Sequence, residues 1–250
     1  MPRLSLIVIT RNEEAALERC LRSAAGLADE IVVVDSGSTD RTLEIARSCG
    51  AKILQPDDWP GFGPQKQRAQ DAASGEWILS LDSDEWMEEA LVREIRDVLN
   101  DPDAAAGYRM PRRNRFCGKI VRFGGWWPDH VLRLYRRERG RFNGNLVHES
   151  VIVDGEVRTL ENPIEHNTIV SAEDANGKIE RYSAIAAQEL LARGRGCSAF
   201  EAMLRGAAAY LRSFILQLGM LDGATGHRVA SYQARYTYKK WAKVAAAKAR

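Results

Sequence analysis

The stretch GEWILSLDSDEW, residues 75–86, sets three acids directly after an apolar segment. The run over 77–81 is short, apolar and rich in β-forming residues, which predicts a buried strand. Asp82, Asp84 and Glu85 follow this strand at once, and acids are costly to bury without partners. The three carboxylates must therefore meet either water, as at an ordinary loop, or a cation.

Short apolar runs alternate with helical patterns along the first part of the chain. The predicted strands cover 4–10, 30–35, 51–55 and 77–81, and the predicted helices begin at Asn12, run from Asp40 to Cys49, and lie around 65–73. Strands that are apolar almost throughout, with helices between them, predict an α/β fold with a doubly wound, mostly parallel sheet. Ligands of such sheets bind beyond the carboxyl ends of the strands, where Thr10, Asp35 and Asp82 lie. We therefore expect these three side chains to share one cleft.

The pattern changes in the second half of the chain. Residues 107–166 hold short β-like runs separated by Gly, Asn and Pro, which predict antiparallel strands added to the sheet. From Ser171 onward apolar residues recur at helical spacing. We therefore expect one compact domain over 1–170 and a helical C-terminal extension over 171–250.

The net charge of +2 conceals an uneven distribution. Lys and Arg strongly outnumber Asp and Glu within 107–142 and again within 205–250. Such regions face something anionic, and nucleic acid, phospholipid and phosphorylated sugar all qualify. No nucleic-acid-binding motif accompanies the charge, so nucleic acid is not expected as a partner.

The cysteine pattern and the hydropathy suggest a compartment. The four cysteines form no CxxC pair, which argues against a zinc site or a redox motif and fits a reducing environment. A signal peptide is not expected, because Arg11 and two glutamates follow the first apolar run within a few residues. No window reaches the roughly 18 uninterrupted apolar residues that a membrane-spanning helix needs. These features favour a cytoplasmic protein.

Asp82 and Asp84 stand two residues apart, so their side chains can share one face of an extended segment. Such a pair makes a small, hard oxygen site that suits Mg²⁺ or Mn²⁺, with further ligands from substrate phosphates. An EF-hand is excluded, because Trp86 and Met87 stand where that loop needs Asp or Asn and then Gly. A solvated turn without a ligand and an aspartyl-phosphate hydrolase both stay open as alternatives.

The first strand-to-helix turn excludes a dinucleotide-binding site. That fold needs the pattern G-x-G-x-x-G here, whereas the turn reads TRNEEA and contains no glycine. Asp35, at the end of the second strand, still suits a ribose or a base edge, so nucleotide recognition in another form stays open.

Three N-terminal segments resemble the signatures of the family 2 glycosyltransferases with the GT-A fold. They are LSLIVITRNEEAALERCLRS (4–23), EIVVVDSGSTDRT (30–42) and GEWILSLDSDE (75–85). WWPDHVLRLYRRERGRF (126–142), VHES (147–150) and LENPIEHNT (160–168) resemble the branch that builds lipopolysaccharide core, typified by a β-1,4-glucosyltransferase. The resemblance covers most of the chain and implies a GT-A catalytic domain over 1–170.

The resemblance assigns the donor side of the site residue by residue. Thr10 and Glu14 match positions that line the nucleotide pocket, and Asp35 matches the acid that contacts uracil. Asp82 and Asp84 match the motif for metal and diphosphate, in which the second acid is usually the direct ligand. The implied donor is a UDP-sugar, and the implied cofactor is Mg²⁺ or Mn²⁺.

The catalytic base is matched less directly. The family commonly places an Asp in an ED-like motif, which this sequence lacks, and VHES stands in its place. Glu149 is therefore assigned as the base, with Asp129 as the second candidate. His166 is a candidate metal ligand and His148 a candidate contact for acceptor or phosphate, and a structural role stays open for each.

The acceptor side rests on aromatic and basic residues. Trp126 and Trp127 suit stacking on sugar rings or the core of a loop, and Arg133 suits pairing with saccharide phosphates or a solvated face. The resemblance implies an inverting hexosyltransferase that moves a sugar, glucose first, from a UDP-sugar to lipopolysaccharide core or another lipid-linked saccharide. A noncatalytic protein that binds nucleotide sugars or polyanions on the same fold is the alternative.

The C-terminal segment RYTYKKWAKVAAAKAR, residues 235–250, combines Tyr236, Tyr238 and Trp241 with cations. This composition suits a helix that lies on an anionic leaflet without spanning it. Together with the lipid-linked acceptor that the resemblance implies, it leads us to expect a protein peripheral to the inner face of the bacterial inner membrane. A helix packed on the catalytic domain with a basic outer face is the alternative.

Overall fold

The computed structural model describes residues 3–143 and 150–248. The chain divides into two compact units, the first formed by residues 1–112 and 129–166 and the second by residues 113–128 and 167–250. The division into 1–170 and 171–250 stays a prediction, and residues 113–128 group with the C-terminal helices.

The elements of the described residues are as follows. The strands are β1 (Leu4–Thr10), β2 (Glu30–Asp35), β3 (Lys52–Leu54), β4 (Trp77–Asp82), β5 (Glu85–Met87), β6 (Gly107–Phe116), β7 (Lys119–Ile120), β8 (Asp129–Arg136), β9 (Gly140–Phe142), β10 (Val151–Val153), β11 (Val157–Thr159) and β12 (Ile164–Ile169). The helices are α1 (Leu17–Ser23), α2 (Thr42–Ser48), α3 (Phe62–Ala72), α4 (Glu89–Asn100), α5 (Ala172–Ala192), α6 (Ala199–Leu211) and α7 (Gly223–Lys248). A π-helical turn (Arg212–Leu216) and a 3-10 turn (Gly219–Asp222) lie between α6 and α7.

Four strands form the parallel part of the main sheet, in the order β3-β2-β1-β4. The register pairs Thr10 with Asp35 and Ile9 with Asp82, on the two sides of β1. Because parallel strands end at the same edge of a sheet, Thr10, Asp35 and Asp82 lie along one edge. This part of the sequence-based prediction is confirmed.

The rest of the main sheet is antiparallel in large part. β8 pairs antiparallel with β4, and β6 pairs antiparallel with β8. β5 follows the DxD motif directly and pairs antiparallel with β12, which sets His166 opposite Glu85. The antiparallel strands predicted within 107–166 are therefore confirmed, and the sheet as a whole is mixed.

β1 is buried along its whole length because both faces of the sheet are covered. Leu6 and Val8 belong to one apolar cluster, whereas Ile7 and Ile9 belong to a second cluster that contains Ala69 of α3. Successive side chains of a strand point to opposite faces, so burial on both faces favours a run that is apolar almost throughout.

Two helix starts differ from their predicted positions. α1 begins at Leu17, because Asn12 has a left-handed φ of 56° and its Oδ1 accepts a hydrogen bond from the Thr39 N–H at 2.8 Å. Asn12 therefore ties the first turn to the second and does not cap a helix. α3 begins at Phe62, earlier than predicted, directly after Gly61 with φ of 111°.

The second unit is built mainly of helices, as the spacing after residue 171 predicts. α7 packs against both α5 and α6. Phe116, Trp126 and Tyr232 form an aromatic cluster with ring centroids 6.0 to 6.2 Å apart. In the part of the chain that the structure describes, no helix has the length and apolar character needed to cross a bilayer.

Candidate active site

Asp35 closes the turn that follows β2. Its buried carboxylate accepts hydrogen bonds from the Thr10 hydroxyl at 3.1 Å, the Gly37 N–H at 3.1 Å and the Ser38 N–H at 2.9 Å. The Ser38 hydroxyl also donates to it. An acid that accepts N–H groups two and three residues ahead holds the turn in one conformation. Thr10 and Asp35, both predicted to face the nucleotide, are thus in direct contact.

Glu14 is exposed and joins the turns after β1 and β2. Its Oε2 accepts a hydrogen bond from the Arg41 N–H at 3.0 Å, and its own N–H donates to Asp40 at 3.2 Å. Asp40 also accepts a hydrogen bond from the Thr42 N–H at 3.0 Å, where α2 begins. Glu14 therefore braces the two turns, and its contact with a nucleotide stays a prediction.

Asp82, the first acid of the DxD motif, lies between two cations. Lys66 Nζ is 2.6 Å from Asp82 Oδ1, and Arg133 Nη2 pairs with Asp82 Oδ2. Only 2% of the Lys66 side chain is exposed, which is unusual for a lysine and requires an opposite charge nearby. Lys66 comes from α3, and Arg133 comes from β8, the strand that pairs with β4.

Glu85, which directly follows the DxD motif, is fully buried. It accepts hydrogen bonds from the Asp82 N–H at 2.9 Å, Arg133 Nη2 at 2.7 Å and Arg112 Nη1 at 3.2 Å. A buried carboxylate is tolerated when it is paired and hydrogen-bonded. The cations that meet Asp82 and Glu85 therefore belong to the chain itself.

The ion pairs set the charges of this network. Burial alone would raise the pKa of Asp82, but Arg133 and Lys66 hold that pKa well below its ordinary value. Burial alone would likewise lower the pKa of Arg133, but Asp82 and Glu85 raise it instead. Asp82 is therefore ionised and Arg133 protonated at neutral pH, and their opposite charges compensate for the loss of water.

Asp84, the second acid of the motif, pairs with a histidine. Its Oδ2 lies 3.4 Å from His166 Nε2, and 27% of the Asp84 side chain and 11% of the His166 side chain are exposed. A carboxylate oxygen beside an imidazole nitrogen fits a divalent cation that takes further ligands from phosphate and water. Asp82 fits as a direct ligand less well, because each of its oxygens already faces a cation.

The donor set for a metal ion is small. Among residues 3–143 and 150–248, no group of three or more His, Cys, Asp or Glu side chains is arranged to hold a metal ion. An ion at Asp84 and His166 would therefore depend on substrate oxygens for part of its coordination, as is usual for Mg²⁺ at phosphate sites.

Asp129, the second candidate base, is held by Arg112. Its Oδ2 accepts hydrogen bonds from Arg112 Nε at 2.9 Å and from Arg112 Nη2 at 2.6 Å, and 35% of its side chain is exposed. Arg112 also pairs with Glu85, so Asp129 is linked to the network around the DxD motif. Glu149, the first candidate base, and His148 lie outside the described residues.

The residues predicted for the acceptor lie in different surroundings. Arg133 is buried and paired with Asp82 and Glu85, which corrects the expectation of an exposed phosphate contact. The reason is that β8 pairs with β4, so Arg133 reaches the carboxylates that follow β4. Trp126 belongs to the aromatic cluster of the second unit, which favours a core role. Trp127 is exposed.

Lys66 and Arg112 are site residues that the sequence-based prediction did not include, and Lys66 had a signal in the sequence. Phe62, Lys66, Ala69 and Ala73 follow at the spacing i, i+4, i+7 and i+11, so a lysine stands within the apolar stripe of α3. A charge in such a stripe needs a buried partner of opposite sign, so the position of Lys66 in the sequence indicates a buried ion pair.

The architecture is similar to that of TarS from S. aureus. The structure of TarS 1–349 has a TM-score of 0.51 and 17% sequence identity, covering 99% of this chain and 91% of that chain. The same fragment in complex with UDP-GlcNAc has a TM-score of 0.50 and 16% identity at the same coverage. This chain spans 46% of a longer TarS structure. The likeness is one of fold, and it confirms the predicted GT-A class.

The family follows from the sequence comparisons. The model of glycosyl transferase family 2 matches residues 5–151, which is more than half of the chain. The chain therefore belongs to glycosyl transferase family 2. The lipopolysaccharide core biosynthesis glycosyltransferase LpsC of Rhizobium meliloti (strain 1021) is 30% identical, over 96% of this chain and 91% of LpsC. The uncharacterized glycosyltransferase RT0209 of Rickettsia typhi is 28% identical, over 90% of this chain and 81% of RT0209.

Proposed function

We propose that this glycosyltransferase moves a hexose, with glucose as the first candidate, from a UDP-sugar to lipopolysaccharide core or another lipid-linked saccharide. The observation that carries the proposal is the likeness to LpsC, a lipopolysaccharide core biosynthesis glycosyltransferase, over 96% of this chain. The sheet edge that carries Thr10, Asp35 and Asp82 supports it, because ligands of such sheets bind beyond the strand ends.

The donor is proposed to be a UDP-sugar. We assign the uridine to Thr10, Glu14 and Asp35, and the diphosphate to the DxD motif. TarS, which has a similar fold, is known in complex with UDP-GlcNAc, and this supports a nucleotide sugar of the same class as the donor here.

Asp84 and His166 are the residues that would hold Mg²⁺ or Mn²⁺. The ion, when bound, supplies positive charge that stabilises the departing diphosphate. Lys66 and Arg133 hold Asp82 from two sides, and Glu85 accepts the Asp82 N–H, so the segment that carries Asp84 has a fixed geometry. Positioning of this segment before the donor binds is the contribution of the buried network.

Glu149 is the proposed catalytic base, with Asp129 as the second candidate. The acceptor hydroxyl would attack the anomeric carbon directly, give its proton to the carboxylate and displace UDP. A single displacement of this kind inverts the anomeric centre and needs no covalent nucleophile on the protein. A positioned carboxylate contributes about 10²–10⁴-fold to such a proton transfer.

We propose that the protein works in the cytoplasm at the inner face of the bacterial inner membrane. A lipid-linked acceptor lies in a bilayer, whereas a UDP-sugar is a water-soluble donor. The enzyme therefore has to meet both at a membrane surface.

A donor screen tests this proposal. Purified protein is supplied with a panel of UDP-sugars and Mn²⁺ or Mg²⁺, and released UDP is measured with and without a chelator. We expect release from one hexose donor, loss of release with the chelator, and at least a ~100-fold lower rate for Asp84→Ala. Asp103→Asn, which changes an exposed acid in the loop after α4, serves as the control and should keep the wild-type rate. UDP release from none of the donors would refute the donor class, and a wild-type rate in Asp84→Ala would refute the metal assignment.

A further inference from the structure

Three small residues of α6 and the turn that follows it point inward. Ala202, Gly206 and Ser213, the last in the π-helical turn, are buried. A Cβ atom added at Gly206 would lie 3.0 Å from the Tyr238 Cβ and 3.3 Å from the Ala234 carbonyl oxygen, both in α7. The two helices therefore pack at close backbone distance, an arrangement that small residues at every fourth position allow.

The large apolar side chains of the same segment point outward. Nine of them, with exposed fractions from 44% to 76%, form a surface that we call the α6 face. Its members are Phe200, Met203, Leu204, Leu211, Ile215, Leu216, Leu218, Met220 and Leu221. This is the reverse of a helix at a water-facing surface, which buries its large apolar residues and exposes its polar ones. Contiguous exposed apolar surface of this kind indicates an interaction site.

The charge of the segment indicates which partner fits. Residues 200–221, which carry the α6 face, contain the exposed Arg205 and Arg212 and one acid, Glu201, which accepts a hydrogen bond from the Ser198 N–H at 2.8 Å. Asp222, the next residue, accepts hydrogen bonds from the N–H groups of Arg122 and Phe123 at 2.9 Å each. The two acids that flank the arginines thus already accept backbone hydrogen bonds, whereas the arginines are exposed. An apolar surface with exposed arginines complements an anionic lipid surface. A second copy of the chain fits less well, because an isologous contact would bring the same arginines together beside acids that are already held.

The length of the segment favours a helix that lies in the plane of the membrane surface. α6 has 13 residues, which is about 20 Å at 1.5 Å per residue. A bilayer core is about 30 Å thick and needs about 20 residues to cross. A helix that is too short to span, apolar on one side and with arginines at that side's margin, lies at the interface between headgroups and acyl chains.

α7 is less suited to this contact than its composition predicts. Arg205 lies over the Trp241 ring, with its guanidinium carbon 4.1 Å from the ring centroid. Tyr236 is half-buried, and burial raises its pKa above the ordinary value. Tyr238 remains partly exposed, but its Cβ faces Gly206. Trp241 and the Cβ of Tyr238 thus face α6, and Tyr236 is half-buried.

We propose that the α6 face docks this protein onto a bilayer of anionic phospholipid, with Leu216 and its apolar neighbours among the acyl chains and Arg212 at the headgroups. The inference deepens the proposed function, since a lipid-linked acceptor lies in such a bilayer. Its test is separate, because docking is measured without any donor or acceptor.

Vesicle flotation tests the proposal. The full chain is mixed with phosphatidylcholine vesicles, either pure or with about a quarter phosphatidylglycerol, and the bound fraction is measured. The main variant carries Phe200→Ser, Leu204→Ser, Leu211→Ser and Leu216→Ser. The matched control carries Ile152→Ser and Val170→Ser, which change exposed apolar residues outside the α6 face. Because all of these side chains are exposed, the variants should unfold at the wild-type temperature.

We expect wild type and control to float with the vesicles that contain phosphatidylglycerol. The quadruple variant should bind these vesicles about 100-fold more weakly. Arg212→Gln should lower binding to the anionic vesicles about fivefold and leave binding to pure phosphatidylcholine unchanged. Equal flotation of wild type and the quadruple variant would overturn the proposal. The proposal would also be overturned if the wild-type protein bound no vesicles and sedimented as a dimer that the four substitutions dissociate. UDP release, measured in parallel, reports on the proposed function alone.

Discussion

Lys66 Nζ lies 2.6 Å from Oδ1 of Asp82, at the end of β4, and this buried contact separates the roles of the two acids in the DxD motif. Asp82 pairs with cations that the chain itself supplies from α3 and β8. Asp84 pairs with His166 and stays partly accessible. The oxygens of the first acid thus already face cations of the protein itself, whereas the second acid lies beside a histidine.

Replacement of Lys66 by Met should destabilise the fold. The variant leaves Asp82 with one of its two cations, and breaking a buried ion pair costs about 3 kcal/mol of unfolding free energy. Arg68→Gln in the same helix is the control. It breaks an exposed pair with Asp58, 2.8 Å long, and should cost much less than the loss of Lys66, because water screens the pair. Urea unfolding measures both, and equal losses in the two variants would contradict the buried role of Lys66.

Removal of either predicted metal ligand should weaken Mn²⁺ binding. We expect Asp84→Asn and His166→Gln each to lower the affinity for Mn²⁺, measured by electron paramagnetic resonance with UDP present, by at least about tenfold. Asp103→Asn provides the control, as an exposed acid outside the motif. If His166→Gln binds Mn²⁺ as wild type does, the histidine pairs with Asp84 without ligating the ion.

The two candidate bases are separated by paired substitutions. Glu149→Gln should reduce kcat about 10²–10⁴-fold with little change in KM for the donor, because the donor does not need the base. Asp129→Asn should have a smaller effect on kcat and a larger one on stability, since Asp129 accepts two hydrogen bonds from Arg112. The reverse order of the two kcat values would make Asp129 the base.

Two glycines of the second unit should respond oppositely to alanine. A Cβ at Gly226 in α7 would lie 1.7 Å from the Gly219 carbonyl oxygen, so Gly226→Ala should destabilise the protein by about 2–3 kcal/mol. Gly177 in α5 is exposed, and a Cβ there meets no atom within 4 Å. Gly177→Ala should therefore stabilise the protein by about 0.5–1 kcal/mol. Thermal unfolding of both variants checks the packing of α7 on the 3-10 turn.

The stability should fall in acid. The pKa of Asp82 is held well below its ordinary value in the folded protein, so the unfolded chain takes up a proton first as the pH falls. The stabilisation is complete above about pH 4, near the ordinary pKa of Asp, and is lost as the pH drops through the lower folded value. Urea midpoints at neutral pH and in acid measure this loss, which Asp82→Asn should reduce. An unfolding free energy that is constant down to about pH 3 would contradict the ion pairing of Asp82.

The parallel half of the fold could be predicted from the sequence because the residue patterns that indicate its strands are local. β1 and β2 are apolar on both faces, and their polar C-terminal residues, Thr10 and Asp35, mark the edge of the sheet. The start of α1 could not be predicted from the sequence, because Asn12 can cap a helix or accept a hydrogen bond from a neighbouring loop. Only the position of Thr39 in the folded protein decides between these roles.

The partners of the acids depend on contacts between residues far apart in sequence. In the sequence, Arg133 is one of many arginines in a basic region. Only the pairing of β8 with β4 brings it to Asp82 and Glu85. The same holds for His166, which the antiparallel pairing of β12 with β5 sets beside the motif. Single-sequence patterns identify the acids but do not identify which cations face them.

The reversed orientation of α6 has a consequence for the motions of the second unit. A helix that exposes most of its large apolar side chains buries little apolar surface, so its opening in water costs less free energy than the unfolding of the sheet. Its amide hydrogens should therefore exchange with deuterium earlier than those of β1, where every residue is buried. Contact between the α6 face and a bilayer would slow that exchange selectively.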